Sequence, residues 1–368
     1  MHVPFCVERC GYCSFNTAPY TADGQSRFLA ALLAEWDRLA TSPWAGRVTL
    51  DTVFLGGGTP SLLTVDQMQA LLGRIGERFA IEDGAEITVE CNPDDATVER
   101  LAGYRKAGVG RLSLGVQSLD DRILARLDRR HSARQARVAF EAARAAGIGS
   151  VSVDLIYGLP GLDLATWGAT VREVLAWGPD HFSAYGLTLD EGSLWHARGV
   201  GGMPPEETVT AQYWALARAA AEAGYEHYEI SSYARPGHRS RHNQRYWRRE
   251  EYLGTGPGAC GFLGSVRYAN VKPVERYTRL AETGRLPLDS HEVLTPRQAL
   301  AERLMLGLRT SDGVPAHHLA ERCALERGRL PETLDAWRQR GLLVEDHGRV
   351  RLTEAGFLLS DALFTDLL

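Results

Sequence analysis

The chain has 368 residues, of which 44% are hydrophobic and 24% charged, and a formal net charge of −5. This composition is typical of a soluble globular protein, and the length predicts about two or three domains, or one barrel with a smaller module. The slight acidic excess excludes a protein that mainly holds nucleic acid. The chain has no apolar run long enough for a transmembrane helix, and it begins without a signal-peptide pattern. We therefore predict a cytoplasmic protein whose six cysteines do not form disulfides.

Short apolar runs alternate with amphipathic helical segments from about residue 48 to residue 190. The predicted strands are 48–55, 86–91, 111–116, 150–157 and 181–187, and three of the predicted helices are 97–107, 133–146 and 164–177. Thr64 and Gln67 form a capping-box pattern that opens a further helix after the first of these strands. This alternation predicts parallel βαβ units, about six of them if a strand runs into Cys6. A partial barrel and an open sheet are both allowed, and in either the chemistry collects at the carboxyl ends of the strands.

The pattern changes after residue 190. A Gly/Pro-rich break at 199–205 precedes a helix at 206–223 and an aromatic, strand-like segment at 225–268. From about residue 295, three helices, a hairpin at Asp346-His347-Gly348 and a closing helix predict a winged-helix-like module. Residues 291–368 carry ten Arg against twelve Asp and Glu, so we interpret this module as a packing or partner-docking unit and not as a DNA-binding wing. The predicted domains are 1–198, 199–290 and 291–368.

Cys6, Cys10 and Cys13 form a C-x3-C-x2-C pattern. Three thiolates this close converge on one centre only if the centre is larger than a single ion or leaves a coordination position open. A structural zinc ion needs four ligands, so a zinc site would need His2 or a distant residue. A [4Fe-4S] cluster with three Cys ligands instead leaves one exchangeable iron, which an amine and a carboxylate can bind. The other cysteines, Cys91, Cys260 and Cys323, are scattered in the way that buried apolar groups are.

The cysteine spacing resembles the signature of the radical S-adenosylmethionine (SAM) superfamily, whose core is a partial (β/α)6 barrel. The resemblance implies an α/β fold, a [4Fe-4S] cluster on Cys6, Cys10 and Cys13, and SAM on the exchangeable iron. It also implies a set of SAM contacts in the cysteine loop and at the strand ends: Tyr12, Gly57, Gly58, Thr59, Glu90, Gln117, Arg129 and Asp154.

Several of these positions also have a physical interpretation. The run Gly56-Gly57-Gly58 after a strand would let a ligand approach the backbone and expose unpaired amides, although a lone glycine run is usually a loop. Glu90 ends a strand and suits a ribose hydroxyl. Asp154 lies in an apolar strand, where a charge is costly unless it is paired. Arg129 either pairs with a carboxylate or is a solvated arginine at a helix end beside Arg130.

Within the superfamily, the motifs are similar to the branch of the oxygen-independent coproporphyrinogen III oxidases, and most of all to its heme chaperones. Phe15 stands where the oxidases have one more Cys, in C-x3-C-x2-C-x-C, and the cysteine loop begins at residue 6 without their N-terminal extension. His242-Asn243-Gln244-Arg245-Tyr246-Trp247 matches the H-N-x-x-Y-W motif of the chaperones. The match implies heme binding by His242, Asn243, Tyr246 and Trp247.

This motif has a physical interpretation too. His242 suits an axial ligand of heme iron, Tyr246 and Trp247 offer flat apolar surface, and nearby arginines suit the heme propionates. The arginines are Arg239, Arg241 and Arg245. Taken alone, a His-Asn pair before two aromatic residues is also typical of ordinary packing.

The resemblance implies a chaperone that binds heme and transfers it to an acceptor apoprotein, for example one of the respiratory chain. An electron donor, a homodimer and peripheral contact with a membrane during delivery fit the same function. The alternatives are a radical SAM enzyme that decarboxylates a porphyrinogen, against which Phe15 argues, and a zinc-stabilised scaffold.

The sequence departs from the family pattern at two places. Met1 stands directly before His2, where the family has a tyrosine and another residue, so the first strand is truncated or the true start lies upstream. The family's Gly-Pro-Gly-Ala-His is here Gly-Pro-Gly-Ala-Cys, ending in Cys260. Cys260 therefore either supplies a thiolate in place of the imidazole, or the role is lost.

Overall fold

The N-terminal half of the chain alternates short strands with helices. The structure, a computed structural model, describes residues 1–325 and 330–367. The first eight strands are β1 (His2–Val3), β2 (Phe5–Cys6), β3 (Ala18–Pro19), β4 (Thr49–Gly57), β5 (Ala80–Cys91), β6 (Arg111–Gln117), β7 (Ser150–Tyr157) and β8 (His181–Gly186). The helices of this half are α1 (Ala22–Ala40), α2 (Val65–Arg78), α3 (Val98–Ala107), α4 (Asp121–Arg126), α5 (Ala133–Ala145), α6 (Leu164–Trp177) and α7 (Leu194–Arg198).

The C-terminal half is more varied. Its strands are β9 (Glu226–Glu229), β10 (Ser232–Ala234), β11 (Cys260–Leu263), β12 (Val266–Asn270), β13 (Leu288–Val293), β14 (Val314–Pro315), β15 (Leu343–Asp346) and β16 (Arg349–Leu352). Its helices are α8 (Glu206–Glu222), α9 (Arg241–Trp247), α10 (Val274–Glu282), α11 (Pro296–Gly307), α12 (Ala316–Leu325), α13 (Leu330–Gln339), α14 (Glu354–Leu358) and α15 (Ser360–Leu367). In the described part of the chain, no helix is both long and apolar enough to cross a membrane.

One sheet of eight strands, in the order β1-β4-β5-β6-β7-β8-β10-β9, organises the larger part of the molecule. The first six strands are parallel, which confirms the predicted α/β fold with about six βα strands. The last two strands were not predicted as part of it. β10 pairs antiparallel with β8 and β9 pairs antiparallel with β10, so the sheet continues past residue 198 into the segment 225–268.

The two faces of this sheet differ in polarity. On β4, Val53 and Leu55 are buried in the main hydrophobic core, whose other members include residues of α1 and α2. The alternate residue Phe54 lies instead against the ring of His242. On β7, Val153 and Leu155 belong to the core, whereas Asp154 between them contacts Ser113 of β6. Because side chains alternate along a strand, the face turned away from this core carries the polar groups.

Local signals account for most helix ends. Thr64 and Gln67 form the predicted capping box of α2, and Gly147 follows α5 with a φ of 76°. β5 begins at Ala80, six residues before the predicted start, because Ala80 and Ile81 pair with Thr49 and Leu50 although polar residues follow them in sequence. The segment 225–268 also contains a helix, α9, where the sequence appeared strand-like throughout.

The last part of the chain has its own hydrophobic cluster, formed by residues between Leu300 and Phe364. Helices α11, α12 and α13 pack with the sheet β14-β16-β15. The turn between β15 and β16 holds His347 at a φ of 47° and Gly348 at 72°, as a tight hairpin requires. This arrangement agrees with the predicted winged-helix-like order of elements, and we refer to residues 294–367 as the C-terminal module.

Candidate functional site

The three cysteines of the C-x3-C-x2-C pattern lie on the wall of one cavity of about 400 Å³. All three are free and half-buried. Burial raises the pKa of the Cys6 and Cys13 thiols, so a positively charged group in the cavity is needed to hold them as thiolates. His2, the imidazole that a zinc site would recruit, is not on this wall; its ring packs over Gly57. In the described residues, no three His, Cys, Asp or Glu side chains surround a single-ion site.

The cysteine loop is fixed by the segments around it. The amide of Gly11 donates to Asp128 Oδ2 at 3.0 Å, and the amide of Trp195 donates to the carbonyl of Gly11 at 2.9 Å. Arg9 Nη2 donates to the carbonyls of Cys13 and Gly192. A Cβ on Gly11 would lie 2.5 Å from Trp195 Nε1, so only glycine leaves room for the tryptophan that covers the loop.

The glycine run after β4 differs from the prediction in one respect. The amides of Gly56, Gly58 and Thr59 donate to carbonyls of the N-terminal segment, and the amide of Gly57 donates to Glu90 Oε2 at 2.9 Å. These amides are therefore paired and not exposed for a ligand. A Cβ on Gly58 would lie 2.7 Å from the carbonyl oxygen of Phe5, so the glycines allow the strand that leads into Cys6 to pack closely on β4.

Two half-buried carboxyl groups line the same cavity. Loss of hydration and, to a smaller extent, the nearby charge of Asp154 raise the pKa of Glu90 from 4.5 to about 7. Burial likewise raises the pKa of Asp154 from 3.8 to about 6, although Ser113 Oγ donates to it at 2.9 Å. Carboxyl groups that are displaced in pKa and open to a cavity are typical of ligand sites, and either can accept a hydroxyl hydrogen bond.

Arg129 is turned into the cavity and is not a solvated helix-end arginine. Its Nη2 donates to Asn92 Oδ1 and to the carbonyl of Gly115, both at 2.7 Å, and its Nη1 lies 3.8 Å from Cys10 Sγ. The guanidinium therefore lies beside a cysteine, where it can neutralise a carboxylate or a thiolate. Gln117, at the end of β6, has a φ of 67° and also lines the cavity.

The cavity wall thus includes all eleven residues predicted for the cluster and SAM: Cys6, Cys10, Tyr12, Cys13, Gly57, Gly58, Thr59, Glu90, Gln117, Arg129 and Asp154. Phe15 lies at its edge with 62% of its surface exposed. Asn92 was not predicted as part of the site, although it accepts from Arg129 and donates to Thr59 Oγ1 at 3.4 Å. Its position two residues after Glu90, at the same strand end, was a signal that could have found it. Trp195 was not predicted either, and no local pattern connects it to the cysteine loop.

The residues of the H-N-x-x-Y-W motif lie on α9 but do not converge on one cavity. His242 and Tyr246 share one side of the helix, where His242 Nε2 lies 2.8 Å from the Tyr246 hydroxyl. His242 Nδ1 lies 2.9 Å from Thr52 Oγ1, and the His242 ring stacks on Phe54 at a centroid distance of 5.0 Å. Burial lowers the pKa of His242 to about 3, so the imidazole is neutral.

The two sides of α9 face different spaces. His242 lines an elongated cleft of about 850 Å³ between β4 and the segment around Tyr252. Trp247 instead lines a smaller cavity beside the C-terminal module. Asn243 is half-buried, and its backbone amide donates to Ser240 Oγ at the start of the helix.

The three arginines predicted to meet propionates are already paired. Arg239 binds Glu226 and Asp312, Arg241 lies 3.7 Å from both Asp51 and Glu82, and Arg245 binds Asp51 and Glu250. The acidic partners lie on β4, β5 and β9 or are Glu250 and Asp312, and the binding of propionates by these arginines stays a prediction.

The remaining cysteines occupy different environments. Cys91 is buried and Cys323 half-buried, whereas Cys260 is exposed at the start of β11. Cys260 lies close enough to Tyr246 and Tyr252 to raise the pKa of both hydroxyls, after the larger effect of burial. Cys260 is therefore near α9, the helix that carries the H-N-x-x-Y-W motif, although the geometry assigns it no ligand role.

The donor set of the first cavity fits a [4Fe-4S] cluster with SAM. Three thiols lie on its wall beside an arginine, and two half-buried carboxyl groups lie there on β5 and β7. The carboxyl ends of six parallel strands and a loop with three cysteines define the class to which the chain belongs, the radical SAM proteins.

Comparison with known proteins agrees with this class and narrows it. The family model of the radical SAM superfamily matches residues 1–174, and that of the HemN C-terminal domain matches residues 294–359. The heme chaperone HemW of Bacillus subtilis is 35% identical over 370 residues, covering 99% of this chain and 97% of the relative. The heme chaperone HemW of Mycobacterium tuberculosis is 38% identical over 374 residues, covering 100% of this chain and 94% of the relative. The chain belongs to the HemW family.

A solved structure supports the fold. Coproporphyrinogen III oxidase (HemN) from Escherichia coli superposes with a TM-score of 0.84 over 100% of this chain and 88% of that chain. The two sequences are 23% identical, so this likeness concerns the fold alone.

Proposed function

We propose that this protein is a heme chaperone, which binds heme and transfers it to an acceptor apoprotein while carrying a [4Fe-4S] cluster with SAM. The observation that carries the proposal is the likeness over the whole chain to proteins named heme chaperone HemW, together with their family's cysteine loop on one cavity. Both halves of the molecule are therefore accounted for by one family.

Cys6, Cys10 and Cys13 would hold the cluster, which with SAM would supply one-electron chemistry when it is reduced. The chain's own groups do the rest. Arg129 neutralises the carboxylate of SAM, because its guanidinium is held in place by Asn92 and Gly115. The half-buried carboxyl groups of Glu90 and Asp154 accept hydroxyl hydrogen bonds, and Tyr12 packs beside the ligand.

Heme would enter the cleft beside α9, with His242 as a ligand of its iron. The neutral imidazole suits a ligand, but both of its nitrogens are already occupied, by Thr52 and Tyr246. Coordination through Nε2 therefore requires the Tyr246 hydroxyl to move away, a change that a side-chain rotation on an exposed helix face supplies. Asn243 and Trp247 act from the other side of the helix, by positioning it.

The alternative function is an enzyme that decarboxylates a porphyrinogen. Phe15 argues against it, because the apolar side chain at the edge of the cysteine cavity offers no ligand at the position of the oxidases' further Cys. The HemW family membership argues in the same direction.

The partners follow from the same function. We propose an acceptor in the respiratory chain, a separate reductant as electron donor, and a homodimer as the working unit. We also propose that the protein resides in the cytoplasm and contacts the membrane peripherally during delivery. Sedimentation with vesicles that carry a heme-free acceptor tests the last point, and failure to sediment with these vesicles would contradict it.

The heme site is tested by titrating heme into the wild type, His242→Ala and a control, His347→Ala. His347 lies in the exposed hairpin turn, so the control should bind as the wild type does. We expect the Soret band to shift and weaken in His242→Ala, whereas Tyr246→Phe, which frees Nε2, should bind heme at least as tightly. An unchanged spectrum in His242→Ala would remove this residue as a ligand.

A further inference from the structure

A small cavity of about 170 Å³ lies between α9 and the C-terminal module. Trp247 and Arg248 line it from α9, Arg303 lines it from α11, and His318 lines it from α12. It is separate from the cleft beside His242 and is smaller than the pockets that hold drug-sized ligands, so it has no room for a porphyrin. The proposed function makes no use of it.

The wall of this cavity carries an excess of positive charge. Four arginines line it against a single carboxylate, that of Asp312: Arg239, Arg248, Arg303 and Arg349. Asp312 faces Arg239 at 2.9 Å and Arg248 at 3.6 Å. One further carboxylate, Glu226, binds Arg239. Counting both acids, the arginines remain in excess.

Two of the arginines have no charged partner in the described part of the chain. Arg349 donates to the carbonyl oxygens of Asp312 and Gly313, which carry no net charge. Arg303 is exposed, and it makes no hydrogen bond or ion pair with any residue that the structure describes. Arg303 and Arg349 are near enough to His318 to lower its pKa, after the larger effects of burial and His317.

Two nitrogen atoms on this wall are buried without a hydrogen-bond partner among the described residues, Trp247 Nε1 and His318 Nδ1. Folded proteins leave few buried polar atoms unpaired, and an ion that fills the space is one explanation for such an atom. The indole N–H can only donate, so it needs an acceptor. Both atoms belong to residues beside the uncompensated arginines.

We propose that this cavity binds a small oxyanion, a phosphate or carboxylate group, with the Trp247 indole N–H and the Arg303 guanidinium as donors. A bound oxyanion would satisfy the indole, offset the excess charge and connect α9 to α11. It would therefore stabilise the contact between the helix that carries the H-N-x-x-Y-W motif and the C-terminal module. The inference does not depend on heme binding.

Nuclear magnetic resonance of the indole N–H groups tests this site in the full-length protein. Inorganic phosphate and acetate are the probes, each added at constant ionic strength, and Trp247→Phe identifies the signal of Trp247 among the eight tryptophans. We expect that signal to shift to saturation with at least one probe. Saturation by phosphate alone points to a phosphate group, and saturation by acetate to a carboxylate. Arg303→Gln should weaken binding about tenfold, since it removes a charge-assisted hydrogen bond.

Arg279→Gln is the matched control, because Arg279 is an exposed arginine on α10 outside the cavity. It should bind the probe as the wild type does. A shift that never saturates, or equal affinity in Arg303→Gln, would overturn the proposal. The Soret titration of Arg303→Gln and Arg279→Gln keeps the two questions apart, since loss of the anion site in Arg303→Gln should leave the heme spectrum unchanged.

Discussion

At the scale of single residues, the candidate site is organised by half-buried polar groups that have only one or two partners each. Glu90 accepts from the Gly57 amide, and Asp154 accepts from the Ser113 hydroxyl. Arg129 is held by an amide oxygen and a carbonyl, which leaves its charge available to a ligand. Polar groups with so few partners cost free energy in the empty site, which is therefore suited to a charged cofactor.

Glu90 gives the SAM-free protein a predicted pH dependence. The pKa of Glu90 in the folded chain is about 7 against an ordinary 4.5, so the folded state retains a proton that the unfolded state loses. The free energy of unfolding should therefore fall by about 3 kcal/mol from this residue as the pH rises from 4.5 to 7. In Glu90→Gln that part of the decline should be absent. Denaturant unfolding of reduced, SAM-free protein across this pH interval measures the effect.

Glu99→Gln, at an exposed position on α3, is the control and should keep the wild-type slope. An equal slope in wild type and Glu90→Gln would show that the Glu90 carboxyl is hydrated and not displaced in pKa.

The residues of this site that sequence could predict are those that stand in short motifs at strand ends. Glu90, Gln117 and Asp154 each end or interrupt an apolar run, and the structure places all of them on one cavity. The close contact of Gly11 with Trp195 could not be predicted, since it joins segments about 180 residues apart in sequence through backbone hydrogen bonds.

At the scale of elements, α9 depends on a distant residue for its start. The amides of Arg241 and His242 donate to the carboxylate of Glu86 on β5 at 3.1 and 2.9 Å. A carboxylate at a helix N-terminus satisfies orphan amides and favours the helix dipole. This seven-residue helix is too short for a periodic pattern, and besides its local N-cap, Ser240, its first amides need a carboxylate 155 residues away. For that reason the segment 225–268 could not be recognised as containing a helix, whereas the six parallel strands could.

Removing the Glu86 carboxylate should destabilise α9. In Glu86→Ala we expect heme affinity to fall severalfold, because the lost cap costs about 1 kcal/mol or more of helix stability and His242 is its second residue. Asp83→Ala is the control, since Asp83 is exposed on β5 and lies outside the cleft. Soret titrations of both variants measure the difference. Equal affinities would mean that α9 is held by its packing on Phe54 and not by its N-terminal cap.

At the scale of the whole molecule, the C-terminal module docks on the strands that extend the sheet. The amide of Ile230 donates to Arg309 O at 3.0 Å, and the amide of Ser311 donates to Tyr228 O at 2.9 Å. Glu354 of α14 accepts from the Tyr213 hydroxyl at 2.8 Å and lies 2.8 Å from His227 Nδ1. These contacts join two separate hydrophobic clusters. The order of elements predicted the module, but only the structure shows what it docks against.

Glu354→Ala should weaken this docking. The substitution removes the carboxylate that accepts from the Tyr213 hydroxyl and lies 2.8 Å from His227 Nδ1, whereas the hydroxyl keeps the Glu354 carbonyl oxygen as an acceptor. We therefore expect a cost of about 1 kcal/mol. We expect hydrogen exchange to speed up in α11 and α14 while β6 and β7 remain protected. Glu332→Ala, on an exposed position of α13, should change neither region. A uniform loss of protection in Glu354→Ala would show that the module and the barrel unfold as one unit.

We propose that the protein carries heme and does not convert coproporphyrinogen III to protoporphyrinogen. The most direct test is to incubate the cluster-reconstituted protein with reductant, SAM and coproporphyrinogen III and to analyse the porphyrin products. We predict no turnover to protoporphyrinogen, although the same preparation binds heme with a Soret band that depends on His242. Repeated turnover to protoporphyrinogen would contradict the account and establish the protein as an oxidase.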